Sequence, residues 1–247
     1  MKNYTPPTDL LKDRVILVTG ASSGLGRVAS LAYARHGATV ALLARKEKAL
    51  DAVYDEIVAA GGPEPAIFPF DLAVADDRGF ENLASTIGHH LGRLDGILHS
   101  AHAFHSLSPL HLQTLELWQS LFRVNLLAPF ALTRACLPLL QAAPDASVIF
   151  TGETHGHHPG AFWGGYAIAK SGLETLTTIW SDELERTARV RFNTLIPGPV
   201  ATTLRSRTHP GQSVDSLTQP ADLMAQYLYL MGADSLAIRG QIIECQT

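Results

Sequence analysis

The chain is poor in sulfur and in charge. Only two cysteines, Cys136 and Cys245, stand among its 247 residues, each in an apolar setting. Two isolated thiols exclude a disulfide scaffold and point to a reducing compartment. Charged residues make up 17% and sum to −4, with no long run of one sign. Nothing in that balance suits nucleic acid or an anionic membrane. No apolar run reaches the ~18 residues of a membrane span. The opening MKNYTPPTDLLKDR is polar and carries prolines, unlike a signal or transit peptide. The cytoplasm is the expected location, and neither a membrane nor a nucleic acid is an expected partner. Repeats, linkers and low-complexity blocks are also absent, so one domain is expected over residues 1–247.

What is present is an apolar content of 46%, enough to fill a large core. Short β-branched runs predict strands at Arg14–Thr19, Ala38–Leu43, Ala66–Phe70, Leu94–His99, Ser147–Thr151, Val190–Ile196 and Gln241–Glu244. Between them, apolar spacing predicts helices at Leu25–His36, 46–60, 76–91, 112–123, 125–141, Gly165–Arg186 and 221–231. Residues 197–219, with Pro197, Pro199, Pro210 and Gly211, read as irregular. Regular alternation implies an α/β fold: a Rossmann-type, doubly wound parallel sheet of about seven strands with helices on both faces. Ligands of such sheets bind beyond the carboxyl ends of the strands.

After the first strand comes TGASSGLG, Thr19–Gly26. Gly20 permits a tight turn, Gly24 lets the backbone approach a pyrophosphate, and Gly26 lets helix and strand pack closely. The candidate phosphate cradle is therefore Gly20, Ser22, Ser23, Gly24, Leu25 and Gly26, with free N–H groups at the helix start. Further on, Tyr166 and Lys170 stand four apart in YAIAK. The glycine spacing, the Tyr-x-x-x-Lys pair and their separation resemble the short-chain dehydrogenase/reductase family over nearly the whole chain. Asn125, Pro197-Gly198 and Thr202 add to the likeness. The resemblance implies an oxidoreductase that moves a hydride between a nicotinamide and a carbonyl or alcohol of a small molecule. It places Asp71 and Leu72 beside the adenine, and Ala101, Pro197, Gly198 and Thr202 against the cofactor.

At the end of the second strand, where a carboxylate would select the ribose 2′-hydroxyl, stand Arg45 and Lys46. Cations there can pair with a 2′-phosphate, so NADP(H) is expected over NAD(H). At the reacting end, Tyr166 and Lys170 share a helix face. A lysine cation favours the phenolate and is expected to lower the tyrosine pKa. Tyr166 is then the general acid or base. The resemblance has Lys170 also hold the nicotinamide ribose and gives Asn125 a place in a proton relay.

Two positions depart from the family's pattern. Glu153 stands where a serine normally donates a hydrogen bond to the reacting oxygen, and an ionised carboxylate has no proton to give. Three readings are open: a protonated Glu153 donates, Thr154 or Thr151 supplies the hydroxyl, or the site no longer performs carbonyl chemistry. After the fourth strand, His99-Ser100-Ala101-His102 replaces the usual Asn-Asn-Ala-Gly, and His102 brings a side chain beside the cofactor.

Six of the eleven histidines (His99, His102, His105, His155, His157 and His158) follow the fourth and fifth strands. Both segments are expected at one rim with Glu153, as a proton relay, a metal site or ordinary loop histidines. Their spacings match no tight metal motif, so no metal is assigned. Residues 197–219 are expected to cap the substrate, with Arg205, Arg207 and His209 favouring an anionic group. Phe162 and Trp163 either line the pocket or simply pack. The helices near 125–141 and 165–186 are where family members pair, so a homodimer or homotetramer is expected. The rival functional reading is a dinucleotide-binding sensor or assembly partner with little redox turnover.

Overall fold

The computed structural model of the protein describes residues 4–185 and 189–246. Seven strands form one parallel sheet: β1 Val15–Thr19, β2 Thr39–Ala44, β3 Ala66–Pro69, β4 Gly96–His99, β5 Ala146–Thr151, β6 Val190–Ile196 and β7 Gln241–Glu244. Their order is β3-β2-β1-β4-β5-β6-β7, with every pairing parallel. The central strands are buried throughout, so apolar residues dominate both of their faces, and the polar side chains that β6 carries, Arg191, Asn193 and Thr194, are hydrogen-bonded. Chain order reverses between β1 and β4, and a crevice opens beyond their carboxyl ends at such a switch point.

Helices cover both faces. The main ones are α1 Gly24–Arg35, α2 Glu47–Ala59, α3 Asp77–Leu91, α4 Leu115–Phe122, α5 Ala128–Ala142, α6 Thr154–His157, α7 Gly164–Glu183, α8 Thr203–Thr208 and α9 Met224–Met231. One core cluster joins α1, α2 and α9 to one face of the sheet; a second joins α3, α5 and α7 to the other. A third, of Phe104, Leu121, Trp163, Tyr166 and Ala167, lies beside the crevice.

The expected elements are present, with three differences. Residues 197–219 are not wholly irregular: Thr202 accepts from the Arg205 backbone N–H at 3.4 Å and starts α8, and a 3-10 turn follows at Val214–Ser216. α6 was not expected from the sequence, because four residues reading THGH carry no apolar stripe. A π-helical turn, Arg123–Leu127, joins α4 to α5. The resulting stretch Leu115–Ala142 is long and apolar enough to cross a membrane by length and composition alone, with 44% of its most apolar window buried. Helix α7 ends at Glu183; the last predicted residue of that helix, 186, lies outside the described residues.

Candidate active site

Beyond β1 and β4 the two following loops lock together. Thr19 Oγ1 accepts from the backbone N–H groups of both Ser100 and Ala101 at 3.1 Å. Gly20 has φ +69°, and a Cβ there would come within 2.9 Å of Ala101 Cα. Both the left-handed backbone and the contact demand glycine. A Cβ at Gly26 would run into the Gly20 carbonyl, so that glycine closes the loop against the start of α1. Gly24 faces open space instead, its nearest neighbour a Thr202 methyl at 4.0 Å.

The crevice is a cavity of about 690 Å³. Its wall takes in Gly20, Ser22, Ser23, Gly24 and Leu25, then Arg45 and Lys46, then Asp71 and Leu72. Farther along it takes in Ala101, Tyr166 and Lys170, and Pro197, Gly198 and Thr202 close the far side. Glu153 and Thr154 also reach it. Gly26 lies behind the loop, and Asn125 is fully buried outside the wall. The helix start, the open face at Gly24 and the exposed cations Arg45 and Lys46 suit a phosphorylated dinucleotide. Phe104 and Leu204 complete the wall near Tyr166; neither carried a sequence signal beyond its place in a loop.

Asn125 sits in the π turn with its side chain saturated. Its Nδ2 donates to the carbonyls of Ala103 and Leu121, both at 2.8 Å, and its Oδ1 accepts from Ala103 N at 3.1 Å. The side chain fixes the segment after β4, and any part in a relay falls to its backbone.

Tyr166 and Lys170 lie at the cavity floor, each 3% exposed. Lys170 Nζ donates to the Thr151 carbonyl at 2.7 Å and lies 6.0 Å from the Tyr166 ring centroid. The expectation that the lysine lowers the tyrosine pKa is reversed here. Burial, and then the negative charge of Glu153, hold the Tyr166 phenol well above its usual value. Burial brings Lys170 down to about 8, against the pull of Glu153. Desolvation outweighs the charge pair because both groups are almost wholly buried.

Glu153 and Thr154 begin α6. Glu153 Oε1 lies 3.3 Å from His155 Nδ1, and His155 stacks on Trp163 with centroids 3.9 Å apart. Thr154 lines the cavity, and its hydroxyl makes no side-chain bond among the described residues. Thr151 contributes its carbonyl; its hydroxyl is buried beside Tyr227. Trp163 lines the cavity, whereas Phe162 is 54% exposed.

Of the six histidines, His155 lies against Glu153, and the other five do not gather there. His99 is buried in β4, stacked on Phe150 and bonded to Thr133 Oγ1 at 2.9 Å, and burial brings its pKa to about 3. His102 lines the cavity with its side chain exposed there, and desolvation by the surrounding wall, then the charge of Lys170, lowers its pKa to about 4. It is a neutral side chain at neutral pH. His105 pairs with Ser120 Oγ at the surface. His157 and His158 turn away, to Glu174 and Glu244. Across the cavity, Arg205 Nε donates to Gln212 and Arg207 donates to the His105 carbonyl while lying over Phe104.

Residues 14–213 match the family model described as short chain dehydrogenase. The chain is 40% identical to an uncharacterised oxidoreductase of Escherichia coli K12, YciK, over 99% of this chain and 96% of that one. A short chain dehydrogenase of Pseudomonas syringae superposes with a TM-score of 0.95 at 42% identity, covering both chains in full. Another, from Escherichia coli CFT073 and complexed with NADPH, gives 0.95 at 40% identity over 98% of this chain and 100% of that one. This chain therefore belongs to the short-chain dehydrogenase family of oxidoreductases.

Proposed function

We propose that the protein is an NADP(H)-dependent carbonyl reductase with Tyr166 as its general acid. The observation that carries this is the buried Tyr166–Lys170 pair at the floor of a cavity whose other end is lined by the glycine loop and by Arg45 and Lys46. A relative of 40% identity is complexed with NADPH. In this reading α1 and the loop Gly20–Gly26 hold the pyrophosphate, Arg45 the 2′-phosphate, Asp71 and Leu72 the adenine, and Lys170 the ribose. The bound nicotinamide supplies hydride to the substrate carbon. Tyr166, its pKa held high, keeps its proton at neutral pH and gives it to the substrate oxygen. The protonated phenol is the form that donates in reduction of a carbonyl. The Thr154 hydroxyl donates the second hydrogen bond to that oxygen. Glu153, engaged by His155, does not. Phe104 and Trp163 screen the reacting oxygen from water.

NADPH and NADH fluorescence titrations, followed by NADPH consumption with a panel of aldehydes and ketones, test the reading. The expected result is tighter NADPH binding, a preference erased in Arg45→Ala, and turnover abolished in Tyr166→Phe. Equal affinity for both cofactors would refute the role of Arg45. A second reading draws on Glu153, whose charge opposes negative charge building on a substrate oxygen. Tight NADPH binding without turnover on any carbonyl would favour that sensor-like role.

A further inference from the structure

On the outer side of α6, away from the cavity, His157, His158 and Glu244 converge. One ring nitrogen of each histidine and a carboxylate oxygen of Glu244 lie within 4.8 Å of one another. His158 Nε2 and Glu244 Oε1 are 3.4 Å apart. At zinc–ligand distances of about 2.0–2.1 Å, a tetrahedral edge is about 3.4 Å. A fourth residue supports the group: the Glu174 carboxylate sits 2.9 Å from His157 Nδ1. A carboxylate accepting from Nδ1–H leaves Nε2 as the lone-pair nitrogen and fixes the ring, as outer carboxylates do for metal-bound histidines. The other oxygen of Glu174 is buried without a partner among the described residues, so this carboxylate is committed to His157.

We infer that His157, His158 and Glu244 form a binding site for a borderline divalent cation, zinc above all, with Glu174 orienting His157. Two imidazoles and one carboxylate are a zinc-type set, whereas magnesium favours oxygen alone. Three protein ligands leave a fourth position for water. His157 ends α6, His158 follows it and Glu244 ends β7, so a bound cation ties the end of the sheet to the turn that begins at Glu153. That turn is packed hard against the catalytic helix: a Cβ on Gly156 would lie 2.9 Å from Lys170 Cβ. The cation thus braces Glu153 and Thr154 from outside and does not touch the reacting atoms.

The test is calorimetric titration of the tag-free protein with zinc chloride, beside His158→Ala and Glu244→Gln. Both positions are partly or largely open to solvent, so the variants should fold, and circular dichroism checks that. The expected result is one zinc per chain, with affinity reduced at least tenfold in each ligand variant. Glu174→Gln should keep the stoichiometry and lose about tenfold, the low end of an outer-carboxylate effect. Saturating zinc should raise the Tm of the wild type and not of Glu244→Gln. Magnesium chloride should not compete. No binding at micromolar zinc, unchanged binding in both ligand variants, or displacement by equimolar magnesium would each overturn the site.

Discussion

At the scale of single residues, the decisive feature is a carboxylate beside a buried acid–base pair. The Glu153 charge raises the pKa values of both Tyr166 and Lys170. Glu153→Gln should therefore shift the alkaline limb of kcat/KM to lower pH, and an unmoved limb would show that the charge does not reach the pair. The same geometry separates the hydroxyls. Thr154→Ala should lower kcat by about 10²–10³, the usual effect of losing one donor to a developing oxyanion, with Thr154→Ser restoring it. Thr151→Val should stay within a few-fold, since that residue serves through its carbonyl. Lys170 also links pH to stability. Its folded pKa is about 8 against an ordinary 10.5, so the unfolded chain binds more protons between those values and stability rises with pH across that window. Relative to Lys170→Met, the wild-type Tm should gain between pH 8 and 10. The YxxxK spacing was legible in the sequence; the sign of its pKa shifts was not, because burial rather than the neighbouring charge decides it.

At the scale of elements, legibility followed burial and length. Val190–Ile196 and Gln241–Glu244 have the bounds the sequence predicts because Pro197-Gly198 ends the first and Gly240 opens the second. THGH at 154–157 was invisible as a helix, yet it positions Glu153 and Thr154. The π turn at Asn125 likewise rests on three hydrogen bonds to backbone more than twenty residues away or one turn back, a relation no local pattern encodes. At the opposite end of the sheet, Arg191 is fully buried in β6. It donates to Asp145 at 3.0 Å, to Ser235 Oγ at 2.6 Å and to the carbonyls of Leu230 and Gly232 at 3.1 Å. Losing one partner of such a network strands the others, at roughly 3–5 kcal/mol. Arg191→Leu should lower the Tm steeply while leaving NADPH affinity unchanged at temperatures where the chain stays folded. Lost affinity without lost stability would contradict a purely structural role.

At the scale of the whole molecule, alternation of strand and helix carries the sheet, and the glycine loop with YxxxK carries the cavity. What the sequence could not show is which apolar side chains the fold leaves uncovered. Leu127 at the end of the π turn, Phe130 on α5, and Ile168 and Ile179 on α7 are 38–47% exposed. Phe130 stacks near Trp180 of α7 with centroids 6.5 Å apart. These four large apolar side chains make a patch of the kind that marks an interface, and Gly172, packed on Leu126, holds α7 against the π turn that leads into α5. A second copy of the chain would offer the same face, which is the requirement for a two-fold interface. The protein should therefore elute as a dimer or tetramer at micromolar concentration, and Phe130→Glu with Ile168→Glu should shift it toward monomer by placing charge at the centre of the buried face. The substituted positions lie outside the cavity wall, so NADPH binding should survive in the monomer. Elution of the wild type as a clean monomer would leave this surface without a self-partner and refute the assembly.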